Sequence, residues 1–182
     1  MMRKLALALS ALSVLAFASS AAAQGGKVGI GVGIGADDLI STTGFDPPTV
    51  EVYVPIAIAP NLRVEPSLGI LTADDNTTDV TTRDLTIGVG VFLLQKAAQT
   101  ADLYVGGRLK LNFANVDTPA GDDSSTDFLL AAAIGGEYYV ATRFSLGVEA
   151  QLGYYNLGDV SGVSSDTSGF FTNGVLFARF YL

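Results

Sequence analysis

The chain has 182 residues, of which 18 are acidic and 10 are basic, and it contains no histidine and no cysteine. Without cysteine it has neither a disulfide framework nor a cysteine-linked lipid anchor. The acidic excess argues against nucleic-acid binding, which needs a basic surface. The composition is apolar, with a mean hydropathy of +0.42, yet after residue 23 no apolar run approaches the roughly 20 residues of a membrane-spanning helix.

The N-terminus has the pattern of an export signal. Arg3 and Lys4 precede an apolar run from Leu5 to Ala18, and small residues follow up to Ala21-Ala22-Ala23. A charged region, an apolar region and a small-residue cleavage site are typical of a secretory signal peptide. We therefore predict that residues 1–23 are cleaved and that residues 24–182 form one exported domain with no cofactor.

Apolar residues in the exported part occur at every second position. This alternation is typical of β-strands with one apolar face. Lipid offers no hydrogen bonds to backbone N–H and C=O groups, so each of them must pair within the protein. An exported chain without an apolar helix can therefore cross a membrane only as a closed barrel. The predicted fold is all-β, an eight-stranded antiparallel up-and-down transmembrane β-barrel, with strands at Val28–Gly35, Val50–Ile58, Leu62–Ile70, Leu85–Leu93, Leu103–Asn112, Phe128–Val140, Phe144–Tyr155 and Phe170–Leu182.

Charged residues within these segments avoid the apolar positions. A charge facing lipid at mid-bilayer costs roughly 2 to 4 kcal/mol for Arg or Lys, so membrane insertion selects this segregation. A soluble sandwich or lipocalin-like barrel is the structural alternative, but its solvated face would be rich in Lys, Glu and Thr. Here the polar face is mainly small residues, with four acidic and four basic side chains: Glu51, Arg63, Glu65, Arg108, Lys110, Glu137, Glu149 and Arg179.

Aromatic residues at apolar positions fall near strand ends, as in the interfacial girdles of membrane barrels. One predicted girdle contains Phe113, Phe128, Tyr154 and Phe170, and the other contains Tyr138, Phe144 and Phe180.

The connections alternate in predicted length. Short links alternate with long ones, which predicts short periplasmic turns, long external loops and two periplasmic termini. The predicted short links are Ala59–Asn61, Gln95–Ala101 and Ala141–Arg143, and the predicted long loops are Asp37–Pro48, Ala73–Arg83, Ala114–Asp127 and Asn156–Ser168.

A signal peptide, eight strands, four polar loops and a closing strand Leu176–Leu182 resemble the OmpA/OmpX/opacity-protein family of small outer-membrane barrels. The resemblance covers the exported part and implies residence in the bacterial outer membrane, without a peptidoglycan-binding domain. It also implies that the barrel-assembly machinery reads the last strand. Phe180 matches the aromatic residue of that signal, whereas Leu182 stands where the family usually has a terminal Phe.

The eight inward charges form the candidate site. An eight-stranded barrel is just wide enough for side chains to fill it. We expect Arg108, Lys110 and Glu149 at mid-barrel, with Arg63, Glu65, Glu137 and Arg179 toward the periplasmic end. Unpaired charges would be costly there, so a paired network that blocks the lumen is the favoured hypothesis. A gate whose pairs exchange partners is the alternative.

The loops supply the remaining hypotheses. Three loops carry aspartate pairs, Asp37-Asp38, Asp74-Asp75 and Asp122-Asp123, whose oxygens suit Ca²⁺ or Mg²⁺, but no segment has the spacing of a calcium loop. Acidic loops also keep a surface solvated, and we therefore predict no metal site. Without histidine or cysteine the usual catalytic base and thiol are missing, so no enzyme activity is expected.

We expect a non-enzymatic integral outer-membrane barrel that displays four acidic surface loops, for envelope integrity or adhesion. A narrow porin-like channel for small solutes is the alternative. The predicted partners are outer-membrane lipid, lipopolysaccharide and the assembly machinery, and the predicted oligomeric state is a monomer.

Overall fold

The fold is that of a computed structural model, which describes residues 28–35, 50–75, 77, 79–119, 121–158 and 168–182. The predicted signal peptide and the Asp37-Asp38 pair lie outside the described residues. Among the described residues, no helix is long and apolar enough to span a membrane.

All the regular structure of the described residues is β-strand. Two short segments, β2 and β3, are the halves of one barrel strand, since both pair with β4. They are separated at Val54 and Pro55, where proline has no N–H to donate to a ladder. The strands are β1 (Gly29–Gly35), β2 (Val50–Tyr53), β3 (Ile56–Ala59), β4 (Leu62–Asp75), β5 (Val80–Ala98), β6 (Ala101–Thr118), β7 (Gly121–Ala141), β8 (Phe144–Asn156) and β9 (Ser168–Tyr181).

Every strand pairs antiparallel with its neighbours, and the ladder closes on itself. The closing pair is β1 with β9, in a register that places Ile34 opposite Leu176 and Gly29 opposite Tyr181. With β2 and β3 counted together, the barrel has eight strands. The predicted fold class is confirmed.

The barrel is apolar on its outer wall and charged inside. Val105, Ile134 and Leu152 are 54%, 63% and 60% exposed, whereas Arg63 and Glu65 are almost fully buried. This distribution is the inverse of that in a soluble β-sandwich, so that alternative is wrong. Ile56 departs from the pattern: the alternation of Val50–Ile58 predicts it on the outer face with Val52 and Ile58, but it is buried beside the β2–β3 interruption.

Two of the predicted long loops are wrong. Residues 73–83 and 114–127 lie mostly in strands, and the links that remain are residues 76–79 and 119–120. The ladders continue because the backbone groups of these polar segments pair with each other, for example Thr81 opposite Asp117. Arg83 and Asp117 add an exposed ion pair of 3.0 Å. Asp74, Asp75, Asp122 and Asp123 therefore belong to strands that extend beyond the barrel.

The two ends of the barrel differ in their connections. One end, here called the turn end, has the links 60–61, 99–100 and 142–143 together with Leu182. The other, here called the loop end, has the links 36–49, 76–79, 119–120 and 157–167.

The aromatic residues of the two predicted girdles are exposed on the outer wall near these ends. From Phe144 to Tyr154 the strand runs about 33 Å, at ~3.3 Å per residue. At a tilt of ~40° this spans about 25 Å, the height of an apolar membrane band.

Candidate functional site

Six charged side chains form one buried cluster in the lumen, here called the lumen cluster. They come from five strands. Each points inward because it lies at the alternate positions of its strand, opposite to the positions that face lipid. Their exposed fractions are all 3% or less. The lumen cluster consists of Arg63 and Glu65 on β4, Arg108 on β6, Glu137 on β7, Glu149 on β8 and Arg179 on β9.

Glu65 is the centre of the lumen cluster. Its Oε1 lies 2.6 Å from Arg108 NH2, and its Oε2 lies 2.7 Å from Arg179 NH2. Arg63 Nε approaches the same Oε2 at 3.4 Å. One carboxylate thus contacts all three arginines and joins β4, β6 and β9 across the lumen.

Glu137 occupies the side of the cluster nearer the turn end. Its Oε2 lies 2.7 Å from Arg63 NH1 and accepts a 3.0 Å hydrogen bond from Arg179. Its Oε1 accepts hydrogen bonds from the Tyr181 hydroxyl at 2.6 Å and the Ser145 hydroxyl at 2.5 Å. Four donors therefore hold this carboxylate in the ionised form that the arginines favour.

Glu149 occupies the other side, toward the loop end. Arg108 binds it through two nitrogens, with Nε–Oε1 at 2.6 Å and NH2–Oε2 at 2.8 Å. The Tyr104 hydroxyl donates to Oε2 at 2.8 Å, and the Gln151 amide donates to Oε1 at 2.7 Å. Bidentate pairs of this kind combine strength with a fixed geometry.

Aromatic rings pack against the guanidinium groups. Arg179 lies 3.7 Å from the centroid of the Phe177 ring, and Arg108 lies 4.8 Å from that of Phe92. Such stacking stabilises desolvated cations. It matters here because four buried guanidinium nitrogens lack a hydrogen-bond acceptor in the described part of the chain: Arg63 Nε and NH2, Arg108 NH1 and Arg179 Nε.

Lys110 and Glu51 form a separate ion pair on the loop-end side of the lumen cluster. Their side chains are 14% and 10% exposed, so this pair is less buried than the cluster. The sequence hypothesis placed Lys110 with Arg108 and Glu149, but among the described residues its ion-pair partner is Glu51. Glu65 also connects the two groups of charges that the hypothesis separated.

The sequence hypothesis missed the neutral donors of the lumen cluster. All of them have inward parity, so alternation was a signal that could have identified them, although it did not indicate which carboxylate each one contacts. They are Tyr104, Ser145, Gln151 and Tyr181.

The arrangement of the paired inward charges is suited to filling the lumen rather than to catalysis. Three arginines face three glutamates, and Lys110 faces Glu51, so these eight ion-paired charges balance. Each of the three clustered carboxylates is held by at least one arginine. In the described residues there is no group of three or more metal-ligating Asp, Glu, His or Cys side chains.

The predicted assembly signal lies at the turn end. Phe180 is 45% exposed on the outer wall, opposite Ile30 and Phe144 in the neighbouring strands. The Leu182 amide donates a 2.8 Å hydrogen bond to the Val28 carbonyl, while its side chain is exposed.

A family model described as the outer membrane protein beta-barrel domain matches residues 5–175. The chain belongs to this family. Membership establishes an integral barrel of the bacterial outer membrane and confirms the resemblance to small barrels of the OmpA type. No curated protein sequence matches the chain.

Solved structures share the fold at low sequence identity. Ail of Yersinia pestis, in complex with the heparin analogue sucrose octasulfate, is 11% identical with a TM-score of 0.56, covering 86% of this chain and 96% of that one. A major outer membrane protein from Thermus thermophilus is 13% identical, with a TM-score of 0.51 and coverages of 86% and 99%. The N-terminal barrel of Pseudomonas aeruginosa OprF is 10% identical, with a TM-score of 0.50 and coverages of 86% and 97%.

Proposed function

We propose that this outer-membrane barrel is a non-enzymatic anchor that presents an acidic, protruding β-sheet at the cell surface, for envelope integrity or adhesion. The observation that carries the proposal is the length of β5, β6 and β7. They have 19, 18 and 21 residues, whereas a tilted strand needs about 9 to 11 to cross a bilayer. The surplus residues extend at the loop end.

The extension has open edges suited to contacts. Residues 70–75 of β4 pair with β5, and among the described residues they have no other strand partner. On the opposite side, the strand pairing of β7 with β8 begins only at Phe128, so β6 is the one strand partner of residues 122–127 among the described residues, although Gly158 contacts Thr126 and Asp127. Exposed strand edges are templates for binding another chain.

The orientation in the proposal follows from the connections. Small outer-membrane barrels have short periplasmic turns and longer external segments. All three links of the turn end have two residues, whereas the loop end carries the longer segments 36–49 and 157–167, so we assign the turn end to the periplasm, with both termini there. The acidic extension then faces outward.

The absence of enzyme activity in the proposal is supported by the chain's chemistry. The sequence has no histidine and no cysteine. The clustered glutamates are occupied by arginine and hydroxyl donors, which leaves no free carboxylate beside a nucleophile in that cluster. General acid–base work needs a group that is free to exchange a proton with substrate.

The proposed partners follow from the outer wall and the closing strand. The apolar band contacts membrane lipid, and the girdle and polar extension at the loop end contact lipopolysaccharide. Phe180 and Leu182 present the assembly signal. A closed ladder leaves no unpaired strand edge within the membrane band, so we propose a monomer.

Shortening the extension tests the proposal. Residues 73–83 and 115–126 are each replaced by a two-residue turn, and the variant is expressed in the native host. We expect the barrel still to shift on heating in gel electrophoresis, while adhesion or resistance to envelope stress is lost. Wild-type behaviour of the folded variant in both assays would contradict the proposal.

A further inference from the structure

A second polar feature lies between the lumen cluster and the loop end, and the anchor function does not use it. It is a cavity of about 450 Å³, here called the vestibule. Its position follows from the register, since Asn173 lies opposite Gln151, the residue that contacts Glu149. The lining residues used below are Glu51, Asn112, Asp127, Tyr155, Phe171 and Asn173.

Two side chains that line the vestibule each have a buried oxygen without a hydrogen-bond donor. Glu51 Oε1 pairs with Lys110, but Glu51 Oε2 is buried and accepts no hydrogen bond. Asn173 Oδ1 is in the same situation. A buried acceptor without a donor carries a desolvation penalty, so an occupant of the cavity that donates hydrogen bonds is favoured.

The charge around the vestibule is negative. Asp127 accepts hydrogen bonds from the Gly158 amide at 3.0 Å and from Asn112 at 3.2 Å, and Asp84 lies within electrostatic reach of it. The net formal charge is −2, from the carboxylates of Glu51, Asp84 and Asp127 and the ammonium group of Lys110. Negative potential in a concave site concentrates cations.

The vestibule also has an aromatic wall. The rings of Tyr155 and Phe171 lie 6.5 Å apart between centroids. Their faces attract organic cations, as in aromatic cages for ammonium groups. The cavity of about 450 Å³ is far larger than a bare inorganic ion, which would leave most of it unfilled.

We propose that the vestibule binds a small organic cation that carries protonated amines. One ammonium group donates to Glu51 Oε2 and Asn173 Oδ1, and the carbon chain lies against Tyr155 and Phe171. A second ammonium group, where the ligand has one, faces Asp127. This ligand site is independent of the proposed anchor function.

The test uses the refolded full-length barrel in detergent micelles, with 1,4-diaminobutane as the probe. Calorimetric titration should give saturable binding of one diamine per barrel. Neither 1,4-butanediol, which has the same shape without charge, nor sodium chloride at matched ionic strength should bind. Equal binding of the diol, or no binding of the diamine, would overturn the proposal.

Variants locate the site. Glu51→Gln removes the unsatisfied charge and should weaken diamine binding by about tenfold or more, since a charge-assisted hydrogen bond is lost. Asp102→Asn makes the same chemical change at the turn end, where Asp102 pairs with Lys96, and should leave the affinity unchanged. Equal effects of the two variants would overturn the assignment.

Lys110→Met provides a change in the opposite direction. It removes the cation that pairs with Glu51 and should tighten diamine binding by several-fold. A heat-shift gel confirms that each variant is folded, and Asp127→Asn replaces Glu51→Gln if the latter fails to refold. Weaker diamine binding by folded Lys110→Met would contradict the proposed site.

Discussion

Arg179 on the last strand lies 2.7 Å from Glu65 on β4, although 114 residues separate them in sequence. The contact crosses the lumen rather than a ladder, because β4 and β9 are not neighbours in the sheet. Glu65 also holds Arg63 and Arg108, so its carboxylate is the shared counter-charge of three buried cations.

Replacing Glu65 should therefore destabilise the barrel strongly. Glu65→Gln keeps the shape but leaves three guanidinium groups without their common counter-charge, and breaking a buried pair costs roughly 3 to 5 kcal/mol. The free energy of unfolding in urea, measured in lipid vesicles, should fall by about that amount.

Arg83→Gln is the matched control for Glu65→Gln. Arg83 pairs with Asp117 on the extension, where the side chains are 58% and 38% exposed. Exposed pairs contribute about 0 to 1 kcal/mol, so this variant should be nearly neutral. A larger loss from Arg83→Gln than from Glu65→Gln would contradict a dominant role for the lumen cluster.

The filled lumen should not conduct ions steadily. Arg63, Glu65 and Arg179 are each 2% exposed or less, so we expect their side chains to block the passage. Planar-bilayer recordings of purified monomer should show no sustained conductance. Steady, charge-selective currents would instead support the gate hypothesis, in which these pairs exchange partners.

Packing of the lumen should require a residue as small as glycine at position 90. A Cβ atom there would lie 2.5 Å from Phe92 Cε2 and 3.1 Å from Arg108 NH1. Gly90→Val should lower stability by roughly 1 to 3 kcal/mol through overpacking.

Gly136→Val is the matched control for the Gly90 variant. It lies on the outer wall, where the nearest atom to an added Cβ is Leu103 Cδ2 at 3.4 Å. Its unfolding free energy in vesicles should stay equal or rise, because the added side chain fills space that faces lipid. Equal losses from both variants would contradict the inward packing of Gly90.

An arginine on the outer wall should lower the unfolding free energy more at the bilayer midplane than near the interface. Val148 is 56% exposed and lies between the girdle residues Phe144 and Tyr154. Val148→Arg should cost about 2 to 4 kcal/mol in vesicles, as expected near the bilayer midplane. Thr126→Arg, on the extension beyond Phe128, should cost about 0 to 1 kcal/mol, as expected near or beyond the interface. The reverse order of the two losses would place the membrane band elsewhere.

The sequence predicted more about the barrel wall than about its ends. Alternation identified the inward parity of Arg108 and Glu149 because a strand turns each successive side chain to the opposite face. The same alternation became irregular in the polar segments around Asp74 and Asp122, and these were predicted to be loops. Polar strands beyond the membrane have no apolar face, so the sequence lacks the alternation that would predict their pairing.

By itself, the sequence determined that charge lies inside and apolar surface outside, since lipid penalises each misplaced charge locally, position by position. It did not determine which charges meet. The pairing of Glu65 with Arg179, and of Glu51 with Lys110, depends on the stagger of strands around a closed barrel. That stagger is a property of the whole ladder, so only the tertiary structure decided the lumen cluster and the vestibule above it.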